Sequence, residues 1–254
     1  MELFDSHVHL DDEAFAADLA AVIDRARQAG VIGMVTVGID VASSRAAVDL
    51  AGRFSTVHAA VAVHPHEAGR AGPEAMADLG PLAAHPKVVA VGETGLDYAK
   101  DYAPREVQRR VFIEHIRLSR ERKLPLIVHC REAHAEVLEI LEREQLAGVV
   151  MHAFSGSADV ARACVERGYF ISLAGPVTFR NARAAAQVAQ EVPLGSLLVE
   201  TDAPVLAPEP FRGRRNEPAY LRHIVERIAD LRGRPPEEIA AATAANARRV
   251  YAVN

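Results

Sequence analysis

The chain has 254 residues, half of them hydrophobic and a quarter charged, a composition that builds an ordinary globular core without disulfides or structural staples. Its net charge of −5 excludes a protein that coats nucleic acid through overall basicity, and no tract reaches the roughly 20 apolar residues of a membrane span. Cys130 and Cys164 make no disulfide framework and fit a reducing cytoplasm, and the start, MELFDSHVHL, lacks the basic region and apolar stretch of a signal peptide.

Short apolar, β-branched runs alternate with longer amphipathic ones. Strands are predicted at 3–9, 32–38, 57–64, 88–94, 125–131, 148–154, 169–174 and 197–202. Most are continuous apolar runs, as expected of parallel strands covered on both faces. Helical patterns lie between them, among them 13–29, 104–122, 132–145 and 159–167. Pro104 is placed for a first helical turn and Ser157 for a cap, while Gly30 and Gly168 stand where helices stop. Two more helices, 218–232 and 236–251, follow the eighth strand; the first is expected to close a barrel and the second to pack outside it. The order predicts a parallel α/β fold, a single (β/α)8 barrel over residues 1–254 with an extra C-terminal helix. An open doubly wound sheet is the rival, weakened because no Gly-x-Gly-x-x-Gly follows the first strand.

Ligand-capable residues collect at the strand ends, which in a barrel form one face and carry the active site. His7 and His9 alternate in the first strand and share a face, so both imidazoles suit a divalent transition metal. Glu93 ends the apolar fourth strand, and a buried carboxylate there needs a cation, either a metal or an arginine. His129 and Arg131 are expected to face inward, the first as a ligand and the second as a guanidinium fork for an anion or as a structural ion pair. His152 completes a second metal set with Glu93 and His129. Asp202 ends the eighth strand, either as a helix cap or as a ligand that orients a water and accepts its proton. His64 is expected to contact substrate, and Cys130 to be a small core residue. His66 and Asp97 are assigned to loops, and the remaining histidines to structural positions. Arg212, Arg214 and Arg215 form a basic loop, read as a phosphate clamp through Arg212 and Arg214 or as a solvated charge run.

Taken in order, Asp5-Ser6-His7-Val8-His9, His64-Pro65-His66, Gly92-Glu93-Thr94-Gly95-Leu96-Asp97, His129-Cys130-Arg131, His152-Ala153-Phe154-Ser155-Gly156, Glu200-Thr201-Asp202-Ala203-Pro204 and Arg215-Asn216-Glu217-Pro218 resemble the TatD family of metal-dependent deoxyribonucleases. The resemblance covers essentially the whole chain. It implies an amidohydrolase-type TIM barrel and hydrolysis of DNA phosphodiester bonds, usually supported by Mg²⁺, from the 3′ end of single strands or frayed ends. It also implies a role in DNA repair or nucleic-acid turnover. By matching motif, His7, His9, Glu93 and Asp202 would hold one divalent ion, and Glu93, His129 and His152 the other. The same ligands suit Zn²⁺ or Mn²⁺. Asp202 and Glu93 would then serve a water activated between two metals. DNA is the expected partner, with no membrane and no obligate protein partner. A metal-dependent hydrolase of aminoacyl-tRNA esters is the alternative on the same site, and a catalytically silent scaffold the second.

Overall fold

The computed structural model describes residues 1–72, 74–100 and 102–253. Eight strands, β1 (Leu3–Val8), β2 (Val31–Val37), β3 (Val57–Val61), β4 (Val88–Asp97), β5 (Leu126–Arg131), β6 (Val149–Met151), β7 (Phe170–Leu173) and β8 (Leu197–Val199), lie in one sheet in sequence order. The helices are α1 (Leu19–Gln28), α2 (Val41–Arg53), α3 (Glu74–Ala83), α4 (Arg105–Arg122), α5 (His134–Arg143), α6 (Ala158–Glu166), α7 (Arg183–Glu191), α8 (Leu221–Arg232) and α9 (Pro236–Tyr251). Every predicted strand is present, and strand and helix alternate through α8, as the (β/α)8 reading expects.

The chain falls into two compact units. The first comprises Met1–Val35 with Ala153–Asn254, and the second Thr36–His152. In the first unit β7 pairs parallel with β8, and α9 packs against β1 and β8. Asn246 of α9 donates to the carbonyls of Leu194 and Leu197, both at 2.8 Å. The buried Tyr251 hydroxyl donates to the Ser6 carbonyl at 3.1 Å. Burial pushes the Tyr251 pKa far up, so the phenol keeps the proton that this bond needs. The last helix is thus bonded to β1, which carries His7, and to β8, which Asp202 follows.

In the second unit β3, β4, β5 and β6 pair parallel in turn. Asp40 caps α2 with a reciprocal pair: Ser43 N–H donates to its carboxylate at 2.7 Å and Asp40 N–H to Ser43 Oγ at 2.9 Å. His115 of α4 is fully buried. Its Nδ1 donates to the Val111 carbonyl at 2.7 Å, leaving Nε2 to accept the Val63 N–H at 2.9 Å. Helix α4 therefore fixes the backbone immediately before His64.

Three predicted helices are shorter than expected, 218–232 among them because it opens as a 3-10 turn, Pro218–Tyr220, before α8. The 13–29 run is a 3-10 turn, Glu13–Phe15, followed by α1, because Asp18 takes a non-helical φ of −142° and its carboxylate is drawn to Arg215 and Arg25. The 132–145 run starts only at His134, since Glu132 sits at φ +53°, which no α-helix accepts.

Candidate active site

Asp5 stands beneath the ligand-capable residues of the first unit. Its buried carboxylate accepts the Thr201 hydroxyl at 2.5 Å and the Thr201 N–H at 2.9 Å. Burial pushes its pKa up to about 7 against the opposing Thr201 bonds. Beside it the buried Glu200 accepts the Ser172 hydroxyl at 2.6 Å and the Ala153 N–H at 2.6 Å, and Ser6 bridges to Ser172 at 2.9 Å. This polar layer fixes the ends of β1 and β8. Above it, Asp202 N–H donates to the His7 carbonyl at 3.0 Å and His9 N–H to the Ala203 carbonyl at 2.9 Å. Asp202 itself sits at φ +54°, a region that aspartate tolerates better than most residues.

The result is a compact donor set. His7 Nε2 lies 3.2 Å from His9 Nε2, and the Asp202 carboxylate lies 3.8 and 3.4 Å from these two nitrogens. Metal–ligand bonds of about 2.0–2.2 Å place neighbouring donors roughly 3.0–3.5 Å apart. Two imidazole nitrogens and one carboxylate at these separations fit a divalent cation.

The second unit builds its set around Glu93. Register shifts between Val91 and Thr94 where β4 pairs with β5, and such a bulge re-aims the side chain it carries. Gly92 and Gly95 flank it at φ +146° and +144°, and a Cβ on Gly95 would stand 2.0 Å from the His129 carbonyl oxygen. Any larger residue there would wedge β4 from β5. One Glu93 oxygen, Oε1, then lies 2.7 Å from His129 Nδ1, 3.2 Å from His152 Nε2 and 3.3 Å from His64 Nε2. Burial alone would raise the Glu93 pKa, but His152, His64 and His129 hold it well below the usual carboxylate range. Glu93 is therefore an ionised carboxylate among imidazoles. Its Oε1 is the atom on which these imidazoles converge.

Two residues assigned to loops from sequence belong to this cluster. Asp97 Oδ2 lies 2.7 Å from His66 Nε2 and 3.2 Å from His129 Nε2. Its other oxygen accepts the N–H groups of Ala99 and Lys100, both at 3.0 Å, so Asp97 shapes the loop and also orients His129. Burial would raise its pKa, yet His129 and His66 hold it below the carboxylate range. Burial would lower the His129 pKa, but Asp97 and Glu93 raise it. The signal was present in the strand: Glu93 and Asp97 stand four residues apart and share a face. His64 differs from the other histidines. Its Nδ1 accepts the His66 N–H at 3.0 Å, which leaves Nε2 to carry the proton and donate towards Glu93. Burial brings its pKa down to about 4, against the pull of Glu93. Neutral His64 is thus a hydrogen-bond donor.

The arginines divide. Arg131 emerges exposed at the end of β5 and makes no ion pair among the described residues. Arg215 is committed to structure, bonded to Asp18 at 2.7 and 2.9 Å and to Glu217 at 2.7 Å. Asn216 ties the same loop to the carbonyls of Thr201 and Val205 at 2.8 and 2.7 Å. Arg214 is exposed, and Arg212 stacks on Phe179 at 4.3 Å. Cys130 is buried, as expected of a core residue.

Residues 4–252 match the family model described as TatD related DNase. The chain is 43% identical to the uncharacterized metal-dependent hydrolase YabD of Bacillus subtilis, over 99% of this chain and 100% of that one. It is 38% identical to the 3′-5′ ssDNA/RNA exonuclease TatD of Salmonella typhimurium, over 99% of both. The crystal structure of the TatD homologue YjjV from Escherichia coli superposes with a TM-score of 0.94 at 32% identity, covering 99% of this chain and 98% of that one. The fold is accordingly the TIM barrel of eight parallel strands with alternating helices and an added C-terminal helix. The chain belongs to the TatD related DNase family of metal-dependent hydrolases.

Proposed function

We propose that this protein is a metal-dependent deoxyribonuclease that removes nucleotides from the 3′ end of single-stranded or frayed DNA, with residues 1–254 acting as one cytoplasmic catalytic domain. The observations that carry the reading are the convergent donors His7, His9 and Asp202, and the ionised Glu93 oxygen against which His129 and His152 both stand. No helix among the described residues is long and apolar enough to cross a membrane. The names of the relatives favour a nuclease over a hydrolase of aminoacyl esters.

His7, His9 and Asp202 would hold one ion, and Glu93, His129 and His152 the other, with Mg²⁺, Mn²⁺ or Zn²⁺ as candidates. Bound there, divalent ions supply Lewis acidity and a nucleophilic water at neutral pH. With its Nε2 proton donated to Asp97, His129 would turn an unprotonated Nδ1 towards Glu93 and serve there as a metal ligand. Asp202 orients the attacking water and accepts its proton. Arg131 offers a guanidinium fork to the phosphate oxygens as charge builds on them, and the 3′ oxygen leaves. His64 donates its Nε2 proton towards Glu93, and Arg212 and Arg214 take further phosphates.

The test is hydrolysis of an end-labelled single-stranded DNA with chelator, Mg²⁺, Mn²⁺ or Zn²⁺, beside His129→Ala. A metal-dependent ladder shrinking from the 3′ end, absent in the variant, supports the proposal. Folded, metal-loaded protein that leaves DNA intact under every metal would refute it.

A further inference from the structure

Catalysis at the two donor sets leaves one feature of the second unit without a role. Among the described residues of that unit, the large apolar side chains left exposed are Ile39 and Tyr102, at 37% and 65%. Both flank the turn at residues 64–66. The Ile39 carbonyl accepts the His64 N–H at 2.8 Å, and the Tyr102 ring stands edge-on to the His66 ring, 4.8 Å between centroids at 83°.

The two rings make a corner. His66 is its fixed wall, held through Nε2 on Asp97 at 2.7 Å and through its N–H on His64 Nδ1 at 3.0 Å. Tyr102 is the open wall, and its hydroxyl makes no hydrogen bond among the described residues. Tyr98, in the same loop, is occupied: its hydroxyl donates to Glu136 at 2.7 Å and its ring lies under Arg105 at 4.1 Å. Positive charge flanks the corner. Lys100 is exposed two residues before Tyr102, and Arg131 is exposed on the β5 residue that pairs with Asp97.

An exposed aromatic face beside exposed cations suits a flat, π-rich group carried on a phosphate chain. We infer that Tyr102 and His66 form a stacking subsite for one unpaired nucleobase beside the Glu93 cluster. A base within a duplex has both faces covered by its neighbours, so the corner admits a base only at an unpaired end or in a single strand. The subsite would thereby select single strands without reading sequence, because every base has a π-face. The inference rests on the nuclease reading.

The test uses single-stranded oligonucleotides ending at the 3′ side in 2-aminopurine or in a base-free tetrahydrofuran residue, with wild type, Tyr102→Phe and Tyr102→Ala. Stacking on an aromatic contributes about 1–3 kcal/mol per base, so Tyr102→Ala should weaken binding of the 2-aminopurine strand roughly 5–150-fold and relieve its fluorescence quenching. Tyr102→Phe should retain both. Removing the terminal base should weaken wild type by a similar factor and Tyr102→Ala little further. Equal losses on base removal in both proteins, or wild-type affinity in Tyr102→Ala, would overturn the subsite while leaving nuclease activity standing. Wild-type protein that binds no single strand would overturn the nuclease reading with it.

Discussion

His7, His9 and Asp202 are held by main-chain bonds between the ends of β1 and β8, over a buried layer of Asp5, Thr201, Ser6, Ser172 and Glu200. Glu93, His129 and His152 are aimed by a bulge in β4 and then hold one another through side chains, with Asp97 behind His129. The first set is rigid because the backbone beneath it is fully bonded. The second is rigid only while its carboxylates stay ionised and its imidazoles keep their orientation. The same chemistry can thus be positioned in two ways, and damage to each should look different.

The largest effect is expected for Glu93→Ala. It removes the one oxygen on which three histidines converge, and loss of one such electrostatic centre lowers kcat by at least about 10²–10³-fold. Steady-state rates on single-stranded DNA, with metal content measured on the same preparation, check this; wild-type rates would sink the proposed chemistry. Asp97→Asn comes next. It leaves Glu93 in place but weakens the carboxylate that orients His129, and such supporting partners are typically worth 10–100-fold in metal affinity. Titration with Zn²⁺ should show that loss at one equivalent only, with the His7–His9–Asp202 equivalent unchanged.

In the first unit Thr201→Val should act on stability. It strips the buried Asp5 carboxylate of its shortest hydrogen bond, and an unmet buried group costs about 1–3 kcal/mol. Urea denaturation at pH 7 reads the shift. A pH dependence follows in the second unit. Burial brings the His115 pKa down to about 4, and its Nε2 must stay unprotonated to accept the Val63 N–H. The folded pKa is depressed, so this contribution to stability is present above about 6.5, the ordinary histidine value, and is lost as pH falls towards 4. The unfolding midpoint should fall over that window, and a His115→Gln variant should show a shallower slope.

The fold was legible because apolar runs and helical periodicity are strong local signals: all eight strands were found, and 236–251 is a helix to the residue. The breaks at Asp18 and Glu132 were hidden because one depends on distant arginines and the other on a left-handed backbone. The ligand-capable histidines and carboxylates were visible at the strand ends. What supports them was not. Asp97 looked like a loop residue because β4 runs three residues further than its apolar pattern, and Arg215 looked like a free cation because Asp18 lies almost two hundred residues away. His115 gave no sign of its role, since one histidine in an amphipathic helix carries no periodic signal.

The central claim is that two independently positioned sets each hold one divalent ion. The most direct measurement is the number of Zn²⁺ ions retained after equilibrium dialysis, counted by mass spectrometry, for wild type, His9→Ala and His152→Ala. Two ions in the wild type and one in each folded variant would bear it out. A single ion in the wild type, or two in either variant, would contradict it.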